Sequence, residues 1–140
     1  MAKDRSNAPV ISSHNGVRAA SNYPLNLSPS AVQQIAASNG VIGIILFPHW
    51  LRQPDQQFTG RDDISLVFQA IDYIQSVTGS YRNVAIGTDL DGFIEPIADC
   101  QNWAQTPNLV SLIQAKYPND YERILCWNAV ETLQLGWKGV

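Results

Sequence analysis

The chain has 140 residues, of which 45% are hydrophobic and 15% charged, enough for one folded domain with a buried core. Nine Lys and Arg against twelve Asp and Glu give a formal net charge of −3, which argues against electrostatic recognition of nucleic acid. The basic residues form no run suited to a membrane surface, and no apolar run approaches the ~20 residues that span a bilayer. We therefore expect no nucleic-acid partner and no membrane partner.

The first predicted elements are a strand and a helix. A short apolar run over residues 10–14 predicts a buried strand with His14 at its carboxyl end. A loop rich in Asn, Gly and Ser follows. Ser28 can then cap the N-terminus of a helix, and Pro29 suits the first position of that helix. Asn39-Gly40 can end the helix in the left-handed backbone conformation.

A second strand and a second helix come next. Residues 41–47 are apolar on both alternating faces, as in a covered parallel strand, and Pro48 ends them. After a loop, Asp62 can cap a helix with apolar residues at helical spacing, and Gly79 ends that helix.

The last predicted elements are a third strand over residues 84–89 and helices over about 108–116 and 119–135. The order strand, helix, strand, helix, strand predicts an α/β fold with a parallel sheet. Because no linker or repeat interrupts the pattern, we expect residues 1–140 to form a single domain.

Three polar positions follow the ends of the predicted strands: His14, the pair Pro48-His49, and Asp89. Right-handed crossovers place these ends on one rim of the sheet, where α/β folds carry their chemistry. A ring nitrogen of His14 could bind a metal or contact substrate. The alternative is a hydrogen-bonded histidine at a strand end.

Two carboxylates lie in residues 88–92, Thr-Asp-Leu-Asp-Gly. If the strand continued, Asp89 and Asp91 would face the same side. We expect Asp89 to hold a water, a metal or a substrate amine. Asp91 is expected to serve the turn that Asp-Gly favours.

The other candidate groups have structural interpretations beside the functional ones. His49 could be a second rim ligand, but we favour a loop histidine packed beside Trp50. Arg18 could bind a carboxylate with its planar fork, although a solvated loop arginine is more common. Cys100 and Cys126 form no CxxC motif, and we expect two free core thiols in the reducing cytoplasm rather than a disulfide or a thiolate zinc site.

Three segments form an ordered pattern that covers nearly the whole chain. Residues 9–18 read Pro-Val-Ile-Ser-Ser-His-Asn-Gly-Val-Arg, and residues 26–28 lead into the first helix. Residues 84–92 read Val-Ala-Ile-Gly-Thr-Asp-Leu-Asp-Gly. In this order they resemble the C-terminal part of the membrane (renal) dipeptidase family of zinc metallopeptidases, with Leu90 where the family usually has Phe.

The resemblance implies a (β/α)8 TIM-type barrel with two zinc ions on its carboxyl rim, which hydrolyses dipeptides with a metal-bound hydroxide. His14 would correspond to one zinc ligand, and Asp89 to the residue that contacts substrate and assists proton transfer. A complete barrel needs roughly 250 residues. We therefore expect a partial barrel of about three parallel strand–helix units plus C-terminal helices.

Two departures from the family pattern predict little or no activity for this chain alone. The family's His-x-Asp pair, its bridging glutamate and its other site histidines belong to a part that this sequence does not contain. Leu25 also stands where the family has an arginine that holds the substrate carboxylate. Loss of that contact would weaken substrate binding by about 2–3 kcal/mol.

The incomplete pattern leaves more than one function open. An N-terminal complement, or self-association, could complete the metal site and cover the edges of the sheet. The alternative is a noncatalytic interaction protein, or a remnant, derived from the same fold. An unrelated βαβ module for a small anion has less support, because the chain has no Gly-rich turn between a strand and a helix.

Overall fold

A computed structural model describes residues 8–53 and 63–137, which form an open parallel sheet with helices packed around it. The strands are β1 (Ile11–Asn15), β2 (Val41–Ile44) and β3 (Val84–Ile86), paired in the order β1-β2-β3. The helices are α1 (Pro29–Ala37), α2 (Pro48–Leu51), α3 (Ser65–Thr78), α4 (Thr106–Lys116) and α5 (Asn128–Trp137). Tight 3-10 turns lie at Tyr81–Asn83 and Trp103–Gln105, and a π-helical turn at Arg123–Trp127 leads into α5.

The predicted α/β order and the parallel pairing of the strands are confirmed. The second and third strands are shorter than predicted, because regular pairing ends at Ile44 and Ile86. Backbone hydrogen bonding nevertheless continues, since the Leu46 N–H donates to the carbonyl oxygen of Thr88. The apolar run after β2 therefore stays buried without being part of the regular strand.

The predicted helix ends are confirmed where local backbone chemistry decides them. The Ser28 side chain accepts a hydrogen bond from the N–H of Ala31, and Pro29 is the first residue of α1. Asn39 and Gly79 adopt left-handed conformations, with φ of 57° and 75°, just after α1 and α3. The predicted cap Asp62 lies outside the described residues.

One prediction about helices is corrected, and another is confirmed with a local difference. Pro48 does end the apolar run, but it also begins the short helix α2 in a segment that we expected to be a loop. Proline suits this first helical position, where its missing N–H has no partner to lose. The helix predicted over 119–135 is present, since helical residues run without a break from 121 to 137, but a π-helical turn at Arg123–Trp127 lies within it, before α5.

The core lies between the sheet and the surrounding helices. Every residue of β2 is buried, and the apolar faces of α1 and α3 pack together against the sheet. Asn128 at the start of α5 is also buried, and its side-chain amide donates to the carbonyl oxygens of Tyr81 and Val84. These bonds fasten α5 to the beginning of β3.

A buried tyrosine joins α3 to the end of α4. The hydroxyl of Tyr117 donates to the Asp72 carboxylate at 2.8 Å, and its ring meets Phe68 edge-on and Tyr81 at a tilt. Burial raises the pKa of Tyr117 above its ordinary value, and the hydrogen bond to Asp72 and the negative charge of that carboxylate raise it further.

Both cysteines are free thiols, but only one lies in the core. Cys100 is buried, and this burial raises its pKa. Cys126 is exposed, which corrects the expectation of two core thiols, because it lies on the outer side of the π-helical turn. Within the described ranges, no helix is long and apolar enough to cross a membrane.

Candidate active site

The carboxyl ends of the three parallel strands bring two predicted site residues to one rim. His14 is the penultimate residue of β1, and Asp89 lies three residues after the end of β3. The Ile45 N–H donates to Asn15, and the Leu46 N–H donates to Thr88, so both neighbouring segments flank the end of β2. His14 and Asp89 are therefore carried by the two segments that flank the end of β2.

His14 lies in a local irregularity of β1. The register passes from Ser12 opposite Ile42 to Asn15 opposite Ile44, so Ser13 and His14 together face Gly43. Such a bulge changes the direction of a side chain at the end of a strand. The His14 imidazole is exposed, and its Nδ1 lies 2.9 Å from the Ser13 hydroxyl. The ring is thus available to ligands on the rim.

Two glycines make room for this bulge. A Cβ added to Gly43 would lie 2.1 Å from the carbonyl oxygen of Ser13, and one added to Gly87 would lie 1.9 Å from the same oxygen. Real Cβ atoms never approach an oxygen so closely. The Ser13 carbonyl therefore occupies a space that side chains at both positions would need.

Asp89 has a strained backbone. Its φ is 56°, in the left-handed region that asparagine, aspartate and glycine tolerate best. The Gly92 N–H donates to the Asp89 carbonyl oxygen, and a Cβ at Gly92 would lie 2.2 Å from Asp89 Oδ1. The half-buried carboxylate is thus held directly against the backbone of Gly92, as suits a group that must keep one orientation.

The idea that Asp89 and Asp91 extend a strand and face the same side is wrong. The strand ends at Ile86, and both aspartates are left-handed, with φ of 56° and 69°. Asp91 lies in a turn, as predicted, and its carboxylate accepts a hydrogen bond from the Trp103 indole N–H at 3.0 Å.

The loops after β1 and β2 are joined by buried hydrogen bonds. The Asn26 side-chain amide donates to the carbonyl oxygens of Ser21, at 2.9 Å, and Trp50, at 2.6 Å. The Ser21 hydroxyl donates to the carbonyl oxygen of Arg52 at 2.6 Å. These contacts fix the loop that carries Leu25 against α2 and Arg52, the residue that follows it.

His49 occupies a different environment from the one expected, whereas Arg18 is an exposed loop arginine, as expected. His49 lies on α2 rather than in a loop, and its exposed ring contacts Tyr23 and Phe47. Trp50 instead stacks on Tyr23. Arg18 is exposed and donates to the Pro24 carbonyl oxygen at 2.7 Å, which stabilises the loop before Leu25.

An open cleft of about 940 Å³ lies on the same rim, between α2 and the loop after β3. Its lining residues are Phe47, Pro48, His49, Arg52, Phe93, Ile94, Glu95, Pro96, Ala98 and Gln101. A smaller pocket of about 250 Å³ adjoins it and shares His49 and Arg52. Arg52 was not predicted from the sequence as a residue of this cleft, although it lies three residues after the predicted rim residue His49.

The described residues do not fit a complete metal centre. Within residues 8–53 and 63–137, no three His, Cys, Asp or Glu side chains lie close enough together to hold a metal ion. A catalytic zinc ordinarily takes three protein ligands. The exposed imidazole of His14 could supply one of them, and the others would have to come from elsewhere.

The parallel sheet and its polar carboxyl rim define an α/β protein with its candidate site at the strand ends. The family model described as membrane dipeptidase (peptidase family M19) matches residues 2–133. The chain belongs to this family, as its sequence predicted.

Curated relatives and solved structures agree with this assignment. The chain is 30% identical over 91 residues to an uncharacterized dipeptidase of Schizosaccharomyces pombe, covering 65% of this chain and 21% of the relative. It is 25% identical over 133 residues to an uncharacterized protein of Klebsiella pneumoniae, covering 94% of this chain and 48% of that protein. The chain thus spans between about a fifth and a half of these relatives.

The fold is similar to that of larger metallopeptidases. The crystal structure of dipeptidase AC of family M19 superposes with a TM-score of 0.82 at 24% identity, over 94% of this chain and 38% of that one. A metallo peptidase from Rhodobacter sphaeroides, liganded with a phosphinate mimic of the dipeptide L-Ala-D-Ala, gives the same TM-score at 24% identity, over 94% and 37%.

Proposed function

We propose that this chain forms part of the catalytic rim of a zinc-dependent dipeptidase, as one arc of a (β/α)8 barrel. The observation that carries the proposal is the shared rim. His14 and Asp89 lie at the carboxyl ends of β1 and β3, the two strands that flank β2, in a member of the dipeptidase family. The dipeptide mimic bound to the Rhodobacter relative supports dipeptides as the substrate class.

Asp89 and His14 have different roles in this proposal. The Asp89 carboxylate, fixed against Gly92, is suited to contact the substrate and to accept a proton near the scissile bond. The exposed His14 imidazole is suited to serve as one metal ligand. Two zinc ions are expected in the complete family site, and residues outside this sequence would supply the remaining ligands.

Those residues would belong to an N-terminal complement or to a second copy of the chain. The noncatalytic alternative also has an observation in its favour. Phe93 is fully exposed beside the cleft, and Trp103 and Leu25 are 58% and 63% exposed. Large exposed apolar side chains that form a patch mark an interaction surface.

The test co-produces the 140-residue chain with the part of the Rhodobacter metallo peptidase that it does not match, and measures L-Ala-D-Ala hydrolysis with zinc. We expect activity in the complex and little in the chain alone. Asp89→Asn should lower kcat by about 100-fold or more, because it removes the proton acceptor. Arg82→Gln is the control, since Arg82 precedes β3 at the opposite end of the sheet.

Two results would count against the proposal. A zinc-loaded complex without hydrolysis would favour the noncatalytic function. The absence of both a complex and any hydrolysis by the chain would contradict a role in this catalytic rim.

A further inference from the structure

We infer that Phe93 is a specificity-determining residue, which packs against a large apolar side chain of the dipeptide in the rim cleft. This inference rests on the proposed function and deepens it by naming the class of dipeptide. Phe93 lines the cleft, yet its ring is fully exposed to solvent. Because an exposed aromatic ring gains free energy when apolar surface covers it, a ligand with a large apolar side chain would bind there more tightly than one without.

The other apolar residues of the cleft form a fixed wall. Phe47, Pro48, Ile94 and Pro96 belong to this wall. Phe47 and Ile94 pack against the hydrophobic core, and Pro48 is buried. The core therefore holds the wall in place, whereas the ring of Phe93 remains available to a ligand. An apolar side chain in the cleft would meet apolar surface from both.

The loop that carries Phe93 is anchored on both sides of this residue. Before it, the Gly92 N–H donates to the carbonyl oxygen of Asp89 at 3.0 Å. After it, the Ile97 N–H donates to the carbonyl oxygen of Leu46 at 2.9 Å. A binding residue on an anchored backbone loses less freedom when it holds a ligand.

Phe93 also keeps an unfavourable backbone conformation. Its φ is 61°, in the left-handed region that bulky residues rarely adopt, because their Cβ crowds the backbone. The fully exposed ring has no packing within the described part of the chain that would offset this cost. Residues held in such conformations cluster at ligand-binding sites, where the ligand supplies the missing contacts.

The position of Phe93 places it next to the proposed catalytic group. A Cβ at Gly92 would lie 2.2 Å from Asp89 Oδ1, so the carboxylate of Asp89 touches the backbone of the residue just before Phe93. Consecutive Cα atoms lie only about 3.8 Å apart. A dipeptide that contacts Asp89 is therefore near enough for one of its side chains to reach the ring of Phe93.

The test measures kcat/KM for L-Ala-D-Ala, L-Leu-D-Ala and L-Ala-D-Leu in the complex of this chain with the complementary part of the Rhodobacter metallo peptidase. We expect one of the leucine dipeptides to exceed L-Ala-D-Ala by about 10-fold or more. Phe93→Asn, which tolerates a positive φ, should abolish this preference, whereas Phe93→Leu should retain most of it. Leu135→Ala removes a half-exposed apolar side chain from α5, the helix bonded to the beginning of β3, and should leave the preference unchanged.

A second measurement follows the ring of Phe93 directly. With fluorinated phenylalanine in the chain, the fluorine NMR signal that is absent from Phe93→Leu identifies this ring. The preferred leucine dipeptide, added to the Asp89→Asn complex, should shift that signal. An unshifted signal, or a preference that survives Phe93→Asn, would overturn the role of Phe93.

The outcomes also separate this inference from the proposed function. Hydrolysis of L-Ala-D-Ala without a preference for either leucine dipeptide would overturn the role of Phe93 and leave the proposed function standing. No hydrolysis of any of the three dipeptides would overturn both.

Discussion

The side-chain amide of Asn26 donates a hydrogen bond to the carbonyl oxygen of Trp50 at 2.6 Å and thereby joins two rim loops that lie 24 residues apart in sequence. Asn26 is only 3% exposed, and its second bond, to Ser21, closes the loop in which it lies. The Asn26 amide therefore helps to hold α2, and with it His49, in place, together with the bond from Ser21 to Arg52.

Asn26→Ala should destabilise the protein by about 2–3 kcal/mol, because two buried carbonyl oxygens lose their donor. We also expect the NMR signals of α2 to shift. Urea denaturation measures the free energy of unfolding, and Asn22→Ala, an exposed position in the same loop, is the control. A loss no larger than that of the control would contradict a structural role for these bonds.

Gly43→Ala should cost about 3 kcal/mol or more, because its methyl group would collide with the Ser13 carbonyl oxygen. The matched control is Gly136→Ala in α5, where a Cβ meets nothing within 4 Å. That change should be neutral or stabilise the helix by about 0.5–1 kcal/mol. Similar melting temperatures for the two variants would show that the bulge does not need the glycine.

Substitutions of Asp89 should distinguish the effect of its backbone strain on stability from the effect of its carboxylate on hydrolysis. Asp89→Asn keeps a residue that tolerates positive φ and should change the free energy of unfolding by less than about 0.5 kcal/mol. Asp89→Ala should be about 1 kcal/mol less stable than Asp89→Gly, because a left-handed alanine is strained. Chemical denaturation of the three variants tests this order, and all three should lower kcat in the complex by about 100-fold or more.

Stability should fall in alkaline solution because of Tyr117. Its folded pKa is raised above the ordinary value of 10.0, so the unfolded chain loses this proton first. The stabilisation is fully present below pH 10 and is lost as the pH rises above it, by up to about 1.4 kcal/mol per pH unit. Tyr117→Phe should flatten this fall between pH 10 and 11.5.

Tyr117→Phe should also cost about 1 kcal/mol near neutral pH, because the hydrogen bond to Asp72 is lost. Asp72→Asn, which removes the charge and keeps an acceptor, should give an intermediate slope. Parallel stability curves for the wild type and Tyr117→Phe would exclude Tyr117 as the origin of the alkaline loss.

The sequence predicted correctly the structural features that depend on a few neighbouring residues. The cap at Ser28, the proline after it and the left-handed stops at Asn39 and Gly79 all follow from backbone chemistry within one turn. The apolar run after Gly40 likewise predicted a buried central strand, because a strand covered on both faces needs no polar alternation.

The features that sequence reasoning missed depend on distant parts of the chain. The bulge at His14 exists because Gly43 and Gly87, about 30 and 70 positions away, leave room for one carbonyl group. Arg52 joins the candidate site through a bond from Ser21, 31 residues before it. No periodicity or motif encodes such contacts, and only the folded chain brings them together.

The Ser13 carbonyl between Gly43 and Gly87 also fixes the register in which the three strands pair. A slip of β2 by one residue would place Ile42 or Ile44 where Gly43 lies, and a slip of β3 would bring Ile86 or Thr88 to the position of Gly87. Each of these side chains would collide with the same oxygen. This collision destabilises misaligned strand pairing next to His14. The strands therefore pair in the correct register and place the residues of the rim correctly at the same time.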